Sequence, residues 1–332
     1  MKKVRLGFIG CGGIAQFHFS HYDKMKDKAQ IVAACDLIPE RAQACAERFG
    51  FDKSHVYTDY KKMFEKEKLD AIHICVQPGA HDGMEFIAID KGIPFFCQKP
   101  MTLDLKYAKK VLAGVKKKKL ITAVGLQCRY ADTFDFIKSY VAAKINRNEI
   151  AMLSAYRLGG FPMVWWWRRK EQSGGQVVEQ TIHNYDLCRY LFGDIVQVQS
   201  ACRKGVITDI PDNNVEDASS TIMTFANGII GTFNTGCFGN GPGDINVYTR
   251  KGKMAIGLGG NYRIEEPNQV FTGSPSNDYG FDCDQTFIDA VRGEIDADEI
   301  LSPYSDAIKS LALTLAINES MDNGGIPVKP AL

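Results

Sequence analysis

Three groups of residues combine types and spacings suited to chemistry. Gln98-Lys99-Pro100 follows the apolar run Pro94–Cys97, which puts Lys99 at the carboxyl end of a strand, where open α/β sheets bind their ligands. An ammonium there can meet a substrate hydroxyl, although a surface lysine ahead of a proline has the same sequence. Pro100 confines Lys99 to an extended backbone and permits a cis peptide. The second group lies in the run from Ser173 to Leu187. Read as one helix, it sets Glu179, His183 and Asp186 on one stripe. The flanks Ile182 and Leu187 are apolar, as are Val177, Cys188 and Phe192 across the helix, with Thr181 among them. Two carboxylates around one imidazole in an otherwise apolar helix suit a base and its orienting partners. A structural buried histidine or a surface charge pair is the competing reading. Gly174 and Gly175 allow a ligand to approach the backbone closely at the helix entrance. The third group is Trp165-Trp166-Trp167: aromatic faces stack on the C–H faces of sugars, which makes Trp166 a candidate substrate contact, and core packing or a subunit interface is an equally common use.

These residues need a scaffold, and the first residues supply one. The strand-like run Val4–Ile9 enters Gly10-Cys11-Gly12-Gly13-Ile14-Ala15, a glycine-rich turn opening a helix, in the order expected for dinucleotide binding. Gly10 permits the tight turn, Gly12 and Gly13 bring backbone N–H groups to a pyrophosphate, and Ile14 begins the helix whose N-terminus faces the anion. A second strand, Ile31–Cys35, ends in Asp36, roughly 20 residues on, where an acid takes the ribose hydroxyls. A carboxylate there repels a 2′-phosphate, so NAD is preferred to NADP, with Arg41 near enough to accommodate NADP; a strand-end or capping acid is the other reading of Asp36. Gln77, Pro78 and His81 follow the strand Ala71–Val76 and are expected to border the cofactor, with His81 positioning rather than transferring protons. Gln98 and Lys99 complete the candidate cofactor contacts. His18, His21, His55 and His73 show no partner pattern and are read as structural.

At 332 residues, with 45% hydrophobic and 24% charged residues, the chain has the composition of a globular protein of two domains. A net charge of +1 argues against nucleic acid or an acidic membrane as the main partner. Lys116–Lys119 suits a solvated helix end. The sequence has no signal-type h-region and no apolar span of membrane length. Ten cysteines, none in CxxC pairs, predict neither disulfides nor a metal site and suit the reducing cytoplasm. Strands and helices alternate up to about Val124, which predicts a doubly wound parallel sheet over residues 1–125. Closely spaced strands with Asn-Gly and Lys-Gly turns predict an antiparallel sheet within 126–332, closed by helices Asp284–Val291 and Tyr304–Met321. No linker marks the junction, so the domains are expected to pack with a cleft between them.

Together these motifs resemble the Gfo/Idh/MocA family, the glucose–fructose oxidoreductase and inositol dehydrogenase group. Its Glu-Lys-Pro is matched by Gln98-Lys99-Pro100, its glycine-rich helix with Asp, His and Asp by Gly174-Gly175, Glu179, His183 and Asp186, and its Arg-aromatic pair by Arg129-Tyr130. The resemblance implies an N-terminal Rossmann domain and a C-terminal α+β domain with an open-faced, mostly antiparallel sheet that forms a homodimer or homotetramer interface. It also implies NAD-dependent oxidoreduction of a secondary alcohol on a sugar, glycoside or cyclic polyol. Lys99, His183 and Glu179 are the implied catalytic residues, and Lys99, His183, Arg129, Trp166 and Asp186 the implied substrate contacts, with no metal. An NAD-requiring glycosidase using transient oxidation, or a non-catalytic dinucleotide sensor, are the alternatives. The chain departs from the family at Gln98, which removes an anion beside Lys99, and at Glu179, whose carboxylate reaches one methylene further than Asp.

Overall fold

The structure, a computed structural model, describes residues Lys2–Ala331. The chain begins β1 (Val4–Ile9), α1 (Gly13–Tyr22), β2 (Ala29–Cys35), α2 (Pro39–Phe49), β3 (Val56–Tyr57), α3 (Tyr60–Lys66), β4 (Ala71–Ile74), α4 (Met84–Lys91), β5 (Phe95–Cys97), α5 (Leu105–Lys118) and β6 (Thr122–Val124). It continues α6 (Thr133–Asn146), β7 (Ile150–Leu158), α7 (Lys170–Ser173), α8 (Gly175–Glu179), α9 (Ile182–Phe192), β8 (Ile195–Arg203), β9 (Ala218–Phe225) and β10 (Ile230–Gly236). The last elements are β11 (Asp244–Thr249), β12 (Lys253–Gly257), β13 (Tyr262–Glu266), β14 (Gln269–Gly273), α10 (Tyr279–Arg292) and α11 (Tyr304–Asp322). Two compact units result, one from the chain up to Gln127 with Asp278–Asp306, the other from Cys128–Asn277 with Ala307 onward. The expected division into 1–125 and 126–332 is corrected here, because α10 and the turn after it return to the first unit. Ser302 accepts the Val124 N–H at 2.8 Å through its carbonyl and donates its hydroxyl to the Val124 carbonyl at 2.7 Å.

The first unit holds a six-stranded sheet in the order β3-β2-β1-β4-β5-β6, parallel throughout. The order reverses between β1 and β4, and ligands bind at such a switch point in doubly wound sheets. Its strands are buried on both faces, which explains their continuous apolar runs. Phe8 of β1 meets Phe19 at 4.9 Å and Tyr22 at 5.8 Å, both on α1, and burying each such side chain contributes about 1.5–3 kcal/mol. Local signals set the helix starts: the Asp59 and Asp104 side chains accept from the N–H of Lys61 and Lys106, and Pro39 opens α2, as capping preferences require. Lys116–Lys119 is exposed at the end of α5, as a cationic last turn should be.

The second unit holds an eight-stranded sheet in the order β14-β13-β12-β11-β7-β10-β9-β8. Every neighbouring pair is antiparallel except β7 with β10, whose connection runs through α7, α8, α9, β8 and β9. Burial alternates along β9 and β10, the pattern of a sheet with one covered face. β3, β13 and β14 have no counterpart among the sequence-based strands. β14 is almost wholly exposed and β13 buries Ile264 alone, so neither carries an apolar run.

Candidate active site

In the first unit the turn from β1 to α1 is held by backbone geometry. Gly10 has φ +86°, and a Cβ there would stand 2.4 Å from the Cys75 carbonyl oxygen, so only glycine fits. Gly12 occupies the α1 N-cap without a side-chain cap, and the first turn carries no acid. Gly13 and Ile14 are exposed beside it, leaving the N–H groups at the helix start to face solvent or an anion. The Asp36 carboxylate, expected on a ribose, also secures this turn: it accepts from the N–H of Cys11 at 2.7 Å and of Ile38 at 2.9 Å. A carboxylate offers about four acceptor sites, so ribose contact and loop contact are compatible.

At the end of β4, Gln77 and Pro78 enter a short 3-10 turn leading to His81. The His81 Nδ1 bonds the fully buried Glu85, whose other oxygen accepts the Tyr107 hydroxyl at 2.5 Å. Burial works against the Glu85 carboxylate, but the His81 imidazole and the Tyr107 hydroxyl outweigh it and hold its pKa below the usual range. A ring anchored this way fixes the loop, in keeping with a positioning role. At the end of β5, Gln98 is buried and Lys99 half-buried, and the Lys99–Pro100 peptide is cis. The Gln98 Oε1 accepts the Lys99 N–H at 3.0 Å, and its Nε2 lies 2.6 Å from His18 Nε2. Gly125 makes room for this amide, since a Cβ there would lie 2.6 Å from Gln98 Oε1.

The histidines read as structural gather behind Gln98. His18 and His21, one turn apart on α1, both bond the fully buried Asp284 of α10 through Nδ1, at 2.8 and 2.6 Å. His73 Nε2 is hydrogen-bonded with the Tyr22 hydroxyl at 2.7 Å, and its ring stacks on Phe96. Burial drives its pKa well below the ordinary histidine value. His55 pairs with Glu67 at the surface. The signal for the cluster was Asp284, an acid flanked by Cys283, Phe287 and Ile288 on an apolar face of α10.

In the second unit the expected single helix across Glu179, His183 and Asp186 is broken. α8 ends at Glu179 and α9 starts at Ile182, because the Thr181 hydroxyl bonds back to the Val177 carbonyl at 3.0 Å with ψ near 4°, a known way to bend a helix. Glu179 accepts the Trp167 Nε1–H at 2.7 Å. Trp167 itself is core, 1% exposed and edge-on to Phe161, and Trp166 packs half-buried against the same cluster, with Trp165 exposed. Trp167 therefore packs the segment and holds Glu179. His183 is buried in the first turn of α9. Arg129 and Asp186, expected against substrate, are bonded to each other: the guanidinium donates from Nε and Nη2 at 2.7 and 2.5 Å, and Asp186 also accepts the Ser310 hydroxyl at 2.5 Å. Both are almost fully buried, which makes the pair part of the scaffold under α9.

Sequence reasoning passed over Glu216. It is fully buried, its Oε1 accepts the Val177 N–H at 3.1 Å, and its Oε2 occupies the space a Cβ on Gly175 (φ +88°) would enter. Burial pushes its carboxyl above the usual carboxylate range, more than the hydrogen bonds hold it down. The group binds its proton more tightly folded than unfolded, so its contribution is complete below the ordinary carboxyl pKa and is lost as pH rises through and above it. Glu216→Gln keeps an acceptor for Val177 and removes the titration. The variant is expected to melt above the wild type at mildly alkaline pH and level with it in acid; a lower melting point at alkaline pH would contradict this account.

Comparison with known proteins matches this architecture. The model of the "Oxidoreductase family, NAD-binding Rossmann fold" matches residues 4–126, and that of the "GFO/IDH/MocA C-terminal domain" matches residues 148–255. A myo-inositol 2-dehydrogenase of Thermotoga maritima is 25% identical over 230 residues, 69% of this chain and 67% of that protein. A scyllo-inositol 2-dehydrogenase (NAD(+)) of Bacillus subtilis is 27% identical over 209 residues, 63% and 59% of the two chains. The matched stretches thus span about two thirds or less of these relatives. The WlbA dehydrogenase of Bordetella pertussis, solved with NADH and UDP-GlcNAcA, shares the fold over 100% of both chains, with a TM-score of 0.83 at 21% identity. The chain belongs to the Gfo/Idh/MocA family of NAD-binding oxidoreductases.

Proposed function

We propose that the chain is an NAD-dependent dehydrogenase or reductase acting on a secondary alcohol or ketone of a sugar, glycoside or cyclic polyol. The observation that carries the reading is the Gln98–Lys99 pair, fixed at the carboxyl end of β5 in a parallel sheet whose first turn is shaped for a pyrophosphate. The residues present fit a dinucleotide: Gly10 turns the chain, Gly12, Gly13 and Ile14 open the uncapped α1, Asp36 lies at the β2 end, and Gln77, Pro78, His81 and Gln98 line the following strand ends. When bound, the nicotinamide supplies the hydride acceptor or donor. In the oxidation direction His183 takes the proton from the substrate hydroxyl, with Glu179 as its orienting partner, and Lys99 holds the same oxygen as negative charge develops on it. The reading requires Lys99 and His183 to serve one oxygen, and substitution of each tests that requirement. Trp166, Arg129 and Asp186 are proposed to border the substrate, Arg129 and Asp186 as a buried pair bonded to each other.

The inositol and sugar-nucleotide names among the relatives support the substrate class. Ile230, Met152 and Tyr248 stand opposite one another on β10, β7 and β11 and are exposed, which supports a homodimer or homotetramer through this sheet. Nine of the ten free thiols are buried, in keeping with a reducing, cytoplasmic setting. No helix among the described residues is long and apolar enough to cross a membrane.

The test is nicotinamide absorbance on adding NAD, and separately NADP, to the protein with inositols, hexoses, sugar acids and glycosides. Reduction of NAD in preference to NADP with one substrate group is the expected result; turnover with NADP alone would overturn the role given to Asp36. Gly10→Ala is expected to cost roughly 1–3 kcal/mol through its forced positive φ and to weaken NAD binding. Thermal unfolding and NAD titration read the two effects, and wild-type values in both would remove the turn from the cofactor site.

A further inference from the structure

The hydrogen bonds behind Gln98 allow one assignment only. A backbone N–H can only donate, so the Gln98 atom 3.0 Å from the Lys99 nitrogen is the amide oxygen. The Gln98 NH₂ then points at His18 Nε2, 2.6 Å away, and must donate to a lone pair there. A histidine with its lone pair on Nε2 carries its proton on Nδ1, and His18 Nδ1 lies 2.8 and 2.9 Å from the two oxygens of Asp284. The chain of donors therefore runs from Lys99 N–H to Gln98, from Gln98 to His18, and from His18 to Asp284. Every member except Lys99 is buried, so an unmade bond along it has no water to replace it.

The surroundings hold this arrangement. His21 on α1 donates its own Nδ1–H to Asp284. His73 on β4 meets His18 edge-on at 4.9 Å, with the Cys75 thiol beside them, and Phe96 on β5 closes the ring's other side at 5.3 Å. Asp284 accepts from Nδ1 of both His18 and His21, and these two bonds hold its carboxylate in place. Asp284 is thus a fixed anion behind His18, and a fixed anion on one ring nitrogen sets the tautomer at the other.

We infer that Asp284 and His18 are positioning residues for Lys99: Asp284 sets the His18 tautomer, His18 sets the Gln98 amide, and Gln98 sets the Lys99 backbone. The carboxylate that Glu-Lys-Pro places directly before the lysine is here moved two hydrogen bonds back, and a neutral glutamine suits the position because His18 presents a lone pair. The inference rests on the proposed role of Lys99 at the substrate oxygen.

Two substitutions of His18 separate positioning from packing. His18→Gln keeps an acceptor near the position of Nε2 for the Gln98 amide and loses the bond to Asp284. His18→Asn keeps a donor near Nδ1 for Asp284 and loses the acceptor for Gln98. Positioning predicts that His18→Asn lowers kcat about 10- to 100-fold with the KM for NAD within about threefold, and that His18→Gln stays within about threefold of wild type in both. A purely structural role predicts the opposite order, with His18→Gln the more damaged; that order, or wild-type kcat in both, overturns the inference. If neither variant folds, isotope-labelled histidine in the wild-type protein reads the tautomer by nitrogen NMR. A proton on Nδ1 with a bare Nε2 is expected, and the reverse tautomer or an imidazolium overturns it. Wild-type protein that binds NAD and oxidises none of the sugars and polyols would refute the proposed function instead, and the tautomer measurement would still decide the relay.

Discussion

Replacing His183 by Ala is expected to lower turnover about 10²–10⁴-fold, the range general-base removal commonly gives, with NAD affinity close to wild type. His183 lies in the first turn of α9, buried on a helix whose other side chains pack into the second unit. Its backbone position is set by the Thr181 break and by the Arg129–Asp186 pair, and both stay in place in the variant. Loss should therefore fall on kcat rather than on folding. Steady-state kinetics with a thermal melt of the same preparation separates the two. Undiminished turnover in a folded variant would show that another group takes the proton.

Arg129→Met is expected to destabilise the protein by about 3–5 kcal/mol, the range found when one partner of a buried ion pair is removed. The substitution leaves Asp186, 1% exposed, with the Ser310 hydroxyl and a guanidinium 3.8 Å away on Arg189. It also removes the guanidinium lying 4.8 Å over the Tyr190 ring. Arg129→Met with Asp186→Leu should recover much of the loss, because no uncompensated charge remains. Urea unfolding of both variants measures this. A substrate-binding arginine would give the opposite signature, a raised KM with unchanged stability, so the experiment also decides which role Arg129 has.

Where the sequence predicted structure well, the information was local. Gly10 to Ala15 states its own geometry, since a positive φ and a close approach to Cys75 allow glycine alone, and Asp36 ends an uninterrupted apolar strand. Lys99 was placed by the strand before it and the proline after it. What escaped depended on contacts distant in sequence. Thr181 looks like an ordinary helix residue until its hydroxyl finds the Val177 carbonyl, and the continuous helix expected from Glu179 to His183 and Asp186 breaks there. His18 and His21 acquire a meaning only when Asp284, more than 260 positions later, joins them, and the same return of the chain explains why Asp278–Asp306 left its expected domain. Glu216 stands between strands with no periodic signal, and β14 at the sheet edge and β13 beside it bury too little to be recognised by alternation.

The central claim is hydride transfer from a carbinol carbon, and the most direct test is isotopic. Fully carbon-deuterated inositols and hexoses, incubated with the protein and NAD, are predicted to yield NADH carrying one deuterium, detected by mass spectrometry and suppressed in the His183→Ala protein. Bound NAD that never acquires deuterium from any of these substrates would contradict the account.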